Sequence, residues 1–339
     1  MSAGARTLKV AGVATGVALG AAGVAIGAQR AVTRSLRNRP DPDAGHLGPI
    51  VFDEARHLPS HDGGSIYTVS RNADGQGPTW LFSHGVTIDS RVWVKQFASL
   101  PGRGARVVAF DHRGHGRSVV GKTGHSIENL AADVRTVLEG LDLTDVVIVG
   151  HSMGGIAAQA LALHQSGVAR ERVRGLVLLS TFARTPLSAL QPIRGPATRV
   201  AGWFDLAALA RRRQLGTVIA RIGFGRQPLA SQVELTREML AACSVETARD
   251  AVAPLIGLDL VDQLGRIQLP TLVVGGTADV IAPPSESRRL ARHIQGARLE
   301  LIERAGHMIM LERTERFHDL LIDFARDLGF APAAEAARA

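Results

Sequence analysis

Gly150-His151-Ser152-Met153-Gly154-Gly155 sets one hydroxyl among glycines, between the β-branched run Val146–Val149 and the small-residue stretch Ile156–Leu161. G-x-S-x-G at a strand-to-helix junction is a nucleophile elbow: small neighbours let strand and helix approach closely enough to lift the serine hydroxyl into the open. A serine hydroxyl is nearly inert at neutral pH, so it needs a base to take its proton and an acid to orient that base. Downstream, Thr271–Val274 reads as a strand followed by Gly-Gly-Thr-Ala-Asp-Val, and Arg298–Ile302 as a strand followed by Glu-Arg-Ala-Gly-His. Asp279 and His307 therefore fall on successive strand-end loops, in the order serine, acid, histidine that such an elbow uses. Asp111 is the chief rival acid, but it precedes the serine and suits a role tying down the turn Arg113-Gly114-His115-Gly116. Among competing histidines, His84, His112, His115 and His151 lie in glycine turns, and His164, His293 and His318 on helical surfaces. Two backbone N–H groups should face the oxyanion that forms on an attacked carbonyl. These are expected from Met153, directly after the nucleophile, and from Val86, in the loop after Thr79–Ser83.

The elements that must position these residues alternate. Strands are expected at Ile50–Leu58, Ser65–Arg71, Thr79–Ser83, Arg106–Phe110, Asp145–Val149, Arg174–Leu179, Thr271–Val274 and Arg298–Ile302. Apolar residues at three- and four-residue spacing predict helices at Arg91–Leu100, Ile127–Leu141, Gly155–His164, Pro284–Ile294 and Glu312–Leu328. This rhythm is that of an α/β protein with a mostly parallel sheet and right-handed crossovers. The interval from the sixth strand to Leu269-Pro270 is far longer than ordinary αβ connections and reads as an insertion of helices over the carboxyl ends of the strands. Trp203, Phe204, Leu206, Leu209 and Ile219 are its candidate pocket residues, each serving equally well as packing between helices, and Arg211-Arg212-Arg213 reads as a solvated face.

Ser83-His84-Gly85-Val86, Asp111-His112-Arg113-Gly114-His115-Gly116-Arg117-Ser118, the serine elbow, Asp279 and Ala305-Gly306-His307-Met308 together resemble the α/β-hydrolase superfamily over roughly residues 50 to 328. The resemblance implies an α/β-hydrolase core at 46–184 and 269–330, with 185–268 as a helical cap and 331–339 as a tail. Epoxide hydrolases and haloalkane dehalogenases of similar sequence carry aspartate at the nucleophile position, so Ser152 argues against them. The expected function is a serine hydrolase that cleaves carboxylic esters through an acyl-enzyme, with no metal or organic cofactor and a small-molecule or lipid-like ester as substrate. A thioesterase or cofactor-free perhydrolase on the same triad, and a non-catalytic ligand-binding module, are the alternatives.

Composition narrows the partners. The chain of 339 residues is 45% hydrophobic and 21% charged, enough to bury a large core. Its net charge of +8 is concentrated at one end: Arg6, Lys9, Arg30, Arg34, Arg37 and Arg39 precede the first acid, Asp41, and leave +2 for the remainder. With 4% aromatic residues there are few stacking platforms, so no nucleic acid is expected as a partner. Cys243 is the sole cysteine, which rules out an intramolecular disulfide and the usual cysteine-based zinc spacings. Within the segment 1–45, Val10–Ala28 carries no charge and as a helix would be roughly 28 Å long, close to a bilayer's hydrocarbon thickness. It is read as a membrane anchor followed by a polar linker (Asn38–Pro49). The arginines that follow it place the catalytic domain in the cytoplasm by the positive-inside rule. Export after signal cleavage at Ile26-Gly27-Ala28 is the alternative. Gly12, Gly16, Gly20, Gly23 and Gly27 share one helix face that permits self-association, although a Gly/Ala-rich segment has glycines on any face.

Overall fold

A computed structural model of the chain describes residues 34, 36, 38–185 and 209–330. The expected anchor, its glycine face, Trp203, Phe204, Leu206 and the tail lie outside these residues. Eight strands form one sheet: β1 (Glu54–Pro59), β2 (Ser65–Arg71), β3 (Thr79–Ser83), β4 (Arg106–Phe110), β5 (Val146–His151), β6 (Val173–Leu179), β7 (Thr271–Gly276) and β8 (Arg298–Ile302), in spatial order β1-β2-β4-β3-β5-β6-β7-β8. β2 pairs antiparallel with β1 and β4, and every other pairing is parallel. Parallel strands are covered on both faces and so are apolar on both. Val146 and Ile148 of β5 join the core with Leu130, Val134 and Leu138 of α2 (Ile127–Gly140), Ile156 of α3 (Met153–His164) and Leu290 of α8 (Pro284–His293). Val147 and Val149 face the other way, into Phe97 of α1 (Val94–Ser99) and Phe317 and Phe324 of α10 (Thr314–Asp327).

Register brings the site together. Ser83 of β3 pairs with Gly150 of β5, so the loop carrying Val86 and the elbow carrying Ser152 leave the sheet side by side. Gly276 of β7 pairs with Ile302 of β8, which does the same for the loops of Asp279 and His307.

The expected boundaries shift in several places. The first strand begins at Glu54 rather than Ile50, because Asp53 spends its carboxylate on the Asn72 N–H (2.7 Å) while Ile50 is buried in the core as a non-strand residue. The helix expected at Arg91–Leu100 starts as a 3₁₀ turn, Ser90–Trp93, before α1. α4 (Ser166–Arg172) and the short α9 (Ile309–Glu312) have no counterpart in the expected elements. His318 is fully buried beside Gln96 (3.3 Å) rather than on a helical surface. Between β6 and β7 the described residues contain α5 (Arg213–Ile222), α6 (Ala230–Ala242) and α7 (Val245–Ile256). Arg211, Arg212 and Arg213 are exposed there, while Leu209 and Ile219 are half-buried. The stretch read as a linker is seated on this insertion and on α1: Asp41 accepts from Ser231 N (2.7 Å) and Ser231 Oγ (2.9 Å) at the start of α6, and Asp43 accepts from Gln232 Nε2 (2.8 Å) and pairs with Lys95 of α1.

Candidate active site

Ser152 has φ 52° and ψ −116°, a left-handed conformation that a residue with a Cβ holds only where its surroundings enforce it. The enforcement is local and complete. Its N–H donates to Leu179 O (3.0 Å), and its carbonyl accepts from Thr181 Oγ1 (2.7 Å) and from Gly155 N (2.9 Å). A Cβ on Gly150 would overlap Gly154 O, and one on Gly154 would overlap Ser83 O, so the strand-helix junction admits no larger residue at either position. The expectation of an open serine needs one correction: Ser152 is only 6% exposed, roofed by the surrounding loops.

Asp279 and His307 meet. His307 Nδ1 donates to Asp279 Oδ2 at 2.9 Å, which leaves Nε2 as the free lone pair. The other carboxylate oxygen, Oδ1, accepts from Ile281 N (2.8 Å) and Ala282 N (2.9 Å), so the acid is fixed by its own loop. Asp111 is spent elsewhere: Oδ1 accepts from Ser90 N and Oδ2 from Arg117 N, both at 2.9 Å. The Ser152 hydroxyl makes no hydrogen bond among the described residues, and the N–H groups of Met153 and Val86 are likewise untaken. Catalytic hydrogen bonds commonly tighten only when substrate is bound.

Four buried histidines that the sequence places merely in turns build the walls of this site. His151 Nε2 donates to the His307 carbonyl (3.0 Å), with the two rings 4.6 Å apart. His115 Nδ1 donates to Arg113 O (3.0 Å) and Nε2 accepts from Thr87 N (3.1 Å), where Thr87 is itself left-handed at φ 64° and adjoins Val86. His84 Nδ1 donates to Gly85 O (2.7 Å) and Nε2 accepts from His112 N (2.9 Å). A carbonyl can only accept and an N–H only donate, so His84 and His115 are fixed as neutral tautomers. Burial agrees, lowering the pKa of all four, that of His115 from 6.5 to about 3. Sequence periodicity carries no signal for these contacts, of which those to His307, Thr87 and His112 join residues distant in the chain.

A cavity of about 350 Å³ is bounded by Tyr67, Thr87, Asp89, Arg91, Arg117 and Cys243 among others, and neither Ser152, Asp279 nor His307 lines it. Among the described residues no cluster of His, Cys, Asp and Glu is arranged to hold a metal ion.

Residues 78–314 match the family model described as the alpha/beta hydrolase fold. The chain is 27% identical over 266 residues to 3-oxoadipate enol-lactonase 1 of Acinetobacter baylyi, covering 78% of this chain and 95% of that protein. It is 30% identical over 258 residues to a non-heme haloperoxidase of Rhodococcus erythropolis, covering 74% and 93%. Among solved structures it is similar to an esterase from Exiguobacterium antarcticum, with a TM-score of 0.70 at 24% identity, covering 80% of this chain and 100% of that one. With the serine elbow, the acid–histidine pair and this sheet order in place, the chain belongs to the α/β-hydrolase family.

Proposed function

We propose that the protein is a serine hydrolase that cleaves carboxylic esters through an acyl-enzyme. The observation that carries this reading is the His307 Nδ1–Asp279 Oδ2 hydrogen bond beside a serine held at a left-handed elbow. Ser152 Oγ attacks the ester carbonyl while His307 Nε2 takes its proton, and the tetrahedral oxyanion is received by the N–H groups of Met153 and Val86. The alkoxide leaves with the proton from His307, giving the acyl-serine and a free alcohol. Water then attacks, again deprotonated by His307, and the acid is released as Ser152 regains its proton. Asp279 holds the tautomer that makes this possible and stabilises the imidazolium. The insertion between β6 and β7 supplies the substrate-facing roof, and residues 10–28 supply attachment to a membrane with the catalytic domain on the cytoplasmic side.

The haloperoxidase relatives favour a second reading on the same residues, perhydrolysis, in which hydrogen peroxide replaces water and the acyl-serine yields a peracid. Hydrolysis of p-nitrophenyl esters of graded chain length, run with and without hydrogen peroxide and with the acyl thioester alongside, separates the readings. Ester turnover lost in Ser152→Ala, with carboxylic acid as the main product, is the expected result. Peracid as the main product, or thioester preferred over ester, moves the assignment to the alternatives, and full turnover by Ser152→Ala overturns the nucleophile.

A further inference from the structure

Glu312, the last residue of α9, has no part in the chemistry above, yet its carboxylate joins two separate backbones. Oε1 accepts from Gly306 N (2.9 Å), the residue before His307, and Oε2 accepts from Gly225 N (2.8 Å), in the turn after α5 of the insertion. The two segments are in direct backbone contact: a Cβ on Gly306 would overlap Phe224 C and Gly225 N, and one on Gly225 would overlap Arg304 O. Around this point His307 N and Met308 N both donate to Gly223 O (2.8 and 3.2 Å), and Arg226 N donates to Arg304 O (3.2 Å). The histidine loop and the insertion are thus stitched along their backbones, with Glu312 spanning the seam. Arg221 of the insertion, whose charge Glu312 favours, gives its guanidinium to Phe224 O (2.8 Å). Burial raises the pKa of Glu312 in spite of the two N–H donors that favour its ionised form. A carboxylate held by paired backbone donors fixes their separation, since it only accepts and each oxygen is committed.

We propose that Glu312 is a positioning residue that makes the seat of His307 conditional on the docking of the insertion, so that a displacement of the roof is felt at the general base. The proposal rests on the serine-hydrolase reading for the role of His307 but not for the tie itself. Glu312→Gln keeps the shape while presenting an NH₂ group to one of two N–H donors, so one hydrogen bond is lost and two donors oppose each other.

The test measures kcat and KM per titrated active site in the full chain, together with the low-field proton resonance of the His307 Nδ1–H bond. The expected result for Glu312→Gln is a kcat about tenfold lower, a KM within about twofold of wild type, and a resonance that moves or is lost to exchange. Glu312→Asp, too short to reach both donors, should behave in the same direction and serves as the second variant if the glutamine form does not fold. Wild-type kcat per titrated site with an unmoved resonance in either folded variant overturns the proposal, as does activity lost only in proportion to an unfolded fraction. Turnover retained by Ser152→Ala would remove the hydrolase reading, while a resonance moved by Glu312→Gln would still support the tie.

Discussion

Asp279 and Asp111 are both buried carboxylates at strand ends, and what separates them is how their oxygens are spent. Asp279 gives one oxygen to its own loop and keeps the other for His307, whereas both oxygens of Asp111 are consumed by backbone N–H groups of other turns. Asp279→Asn should therefore leave the fold intact and lower kcat severely, by as much as about 10⁴, because an amide no longer holds the imidazole in the productive tautomer. Asp111→Asn should instead lower thermal stability, since its amide nitrogen faces an N–H it once accepted from. Activity and melting temperature measured on both variants decide the matter, and the reverse pattern would move the acid to Asp111. At this scale the sequence was readable for residues whose order is imposed by the strand-end loops. It led to an open Ser152 and to a His151 that merely sat in a turn, because the burial of both depends on which loops fold over the elbow.

At the scale of elements, the strands were legible because β3 to β7 are short buried apolar runs between turn residues. The edges were less so: β1 is exposed along most of its length and starts where Asp53 turns to Asn72, a contact with no periodic signature. The loop after β4 shows why side-chain networks escape sequence reading. Arg113 is 1% exposed and bound to Asp133 (2.6 Å) and Asp62 (3.0 Å), residues from α2 and from the turn after β1. The neutral histidines in these loops also predict a pH dependence. The pKa of His115 falls from 6.5 in the unfolded chain to about 3 in the fold because it is buried, with the neighbouring His84 adding in the same direction. Between these values the unfolded chain binds the proton and the folded one does not, so the stability contribution is complete above pH 6.5 and is lost as pH falls toward 3. Urea unfolding from pH 7 to pH 4 should show that decline, and His115→Gln, which retains an acceptor for Thr87 N, should shallow it by one proton. An unchanged slope in the variant would mean that His115 is charged in the native state.

For the whole molecule, the residues before β1 dock on the described part of the insertion, and the insertion docks on the histidine loop. Leu36 is buried, Asp41 caps the start of α6, and Glu312 links the turn after α5 to the histidine loop. A chain begun at Thr33 keeps these contacts and loses residues 1–32, the apolar segment among them, so it should match the full chain on short esters and leave the membrane fraction, from which the full chain should resist extraction by alkaline carbonate. Recovery of the full chain as soluble protein with its original amino terminus would contradict the anchor. No helix among the described residues is long and apolar enough to cross a membrane. The account as a whole stands on Ser152 as the nucleophile, and the most direct measurement is reaction of the full chain with a fluorophosphonate followed by mass spectrometry of the intact protein and its peptides. One adduct per chain on the peptide carrying Ser152, absent in Ser152→Ala and strongly slowed in His307→Ala, is the predicted result. An unmodified wild-type chain, or an adduct on another residue that persists in Ser152→Ala, would contradict it.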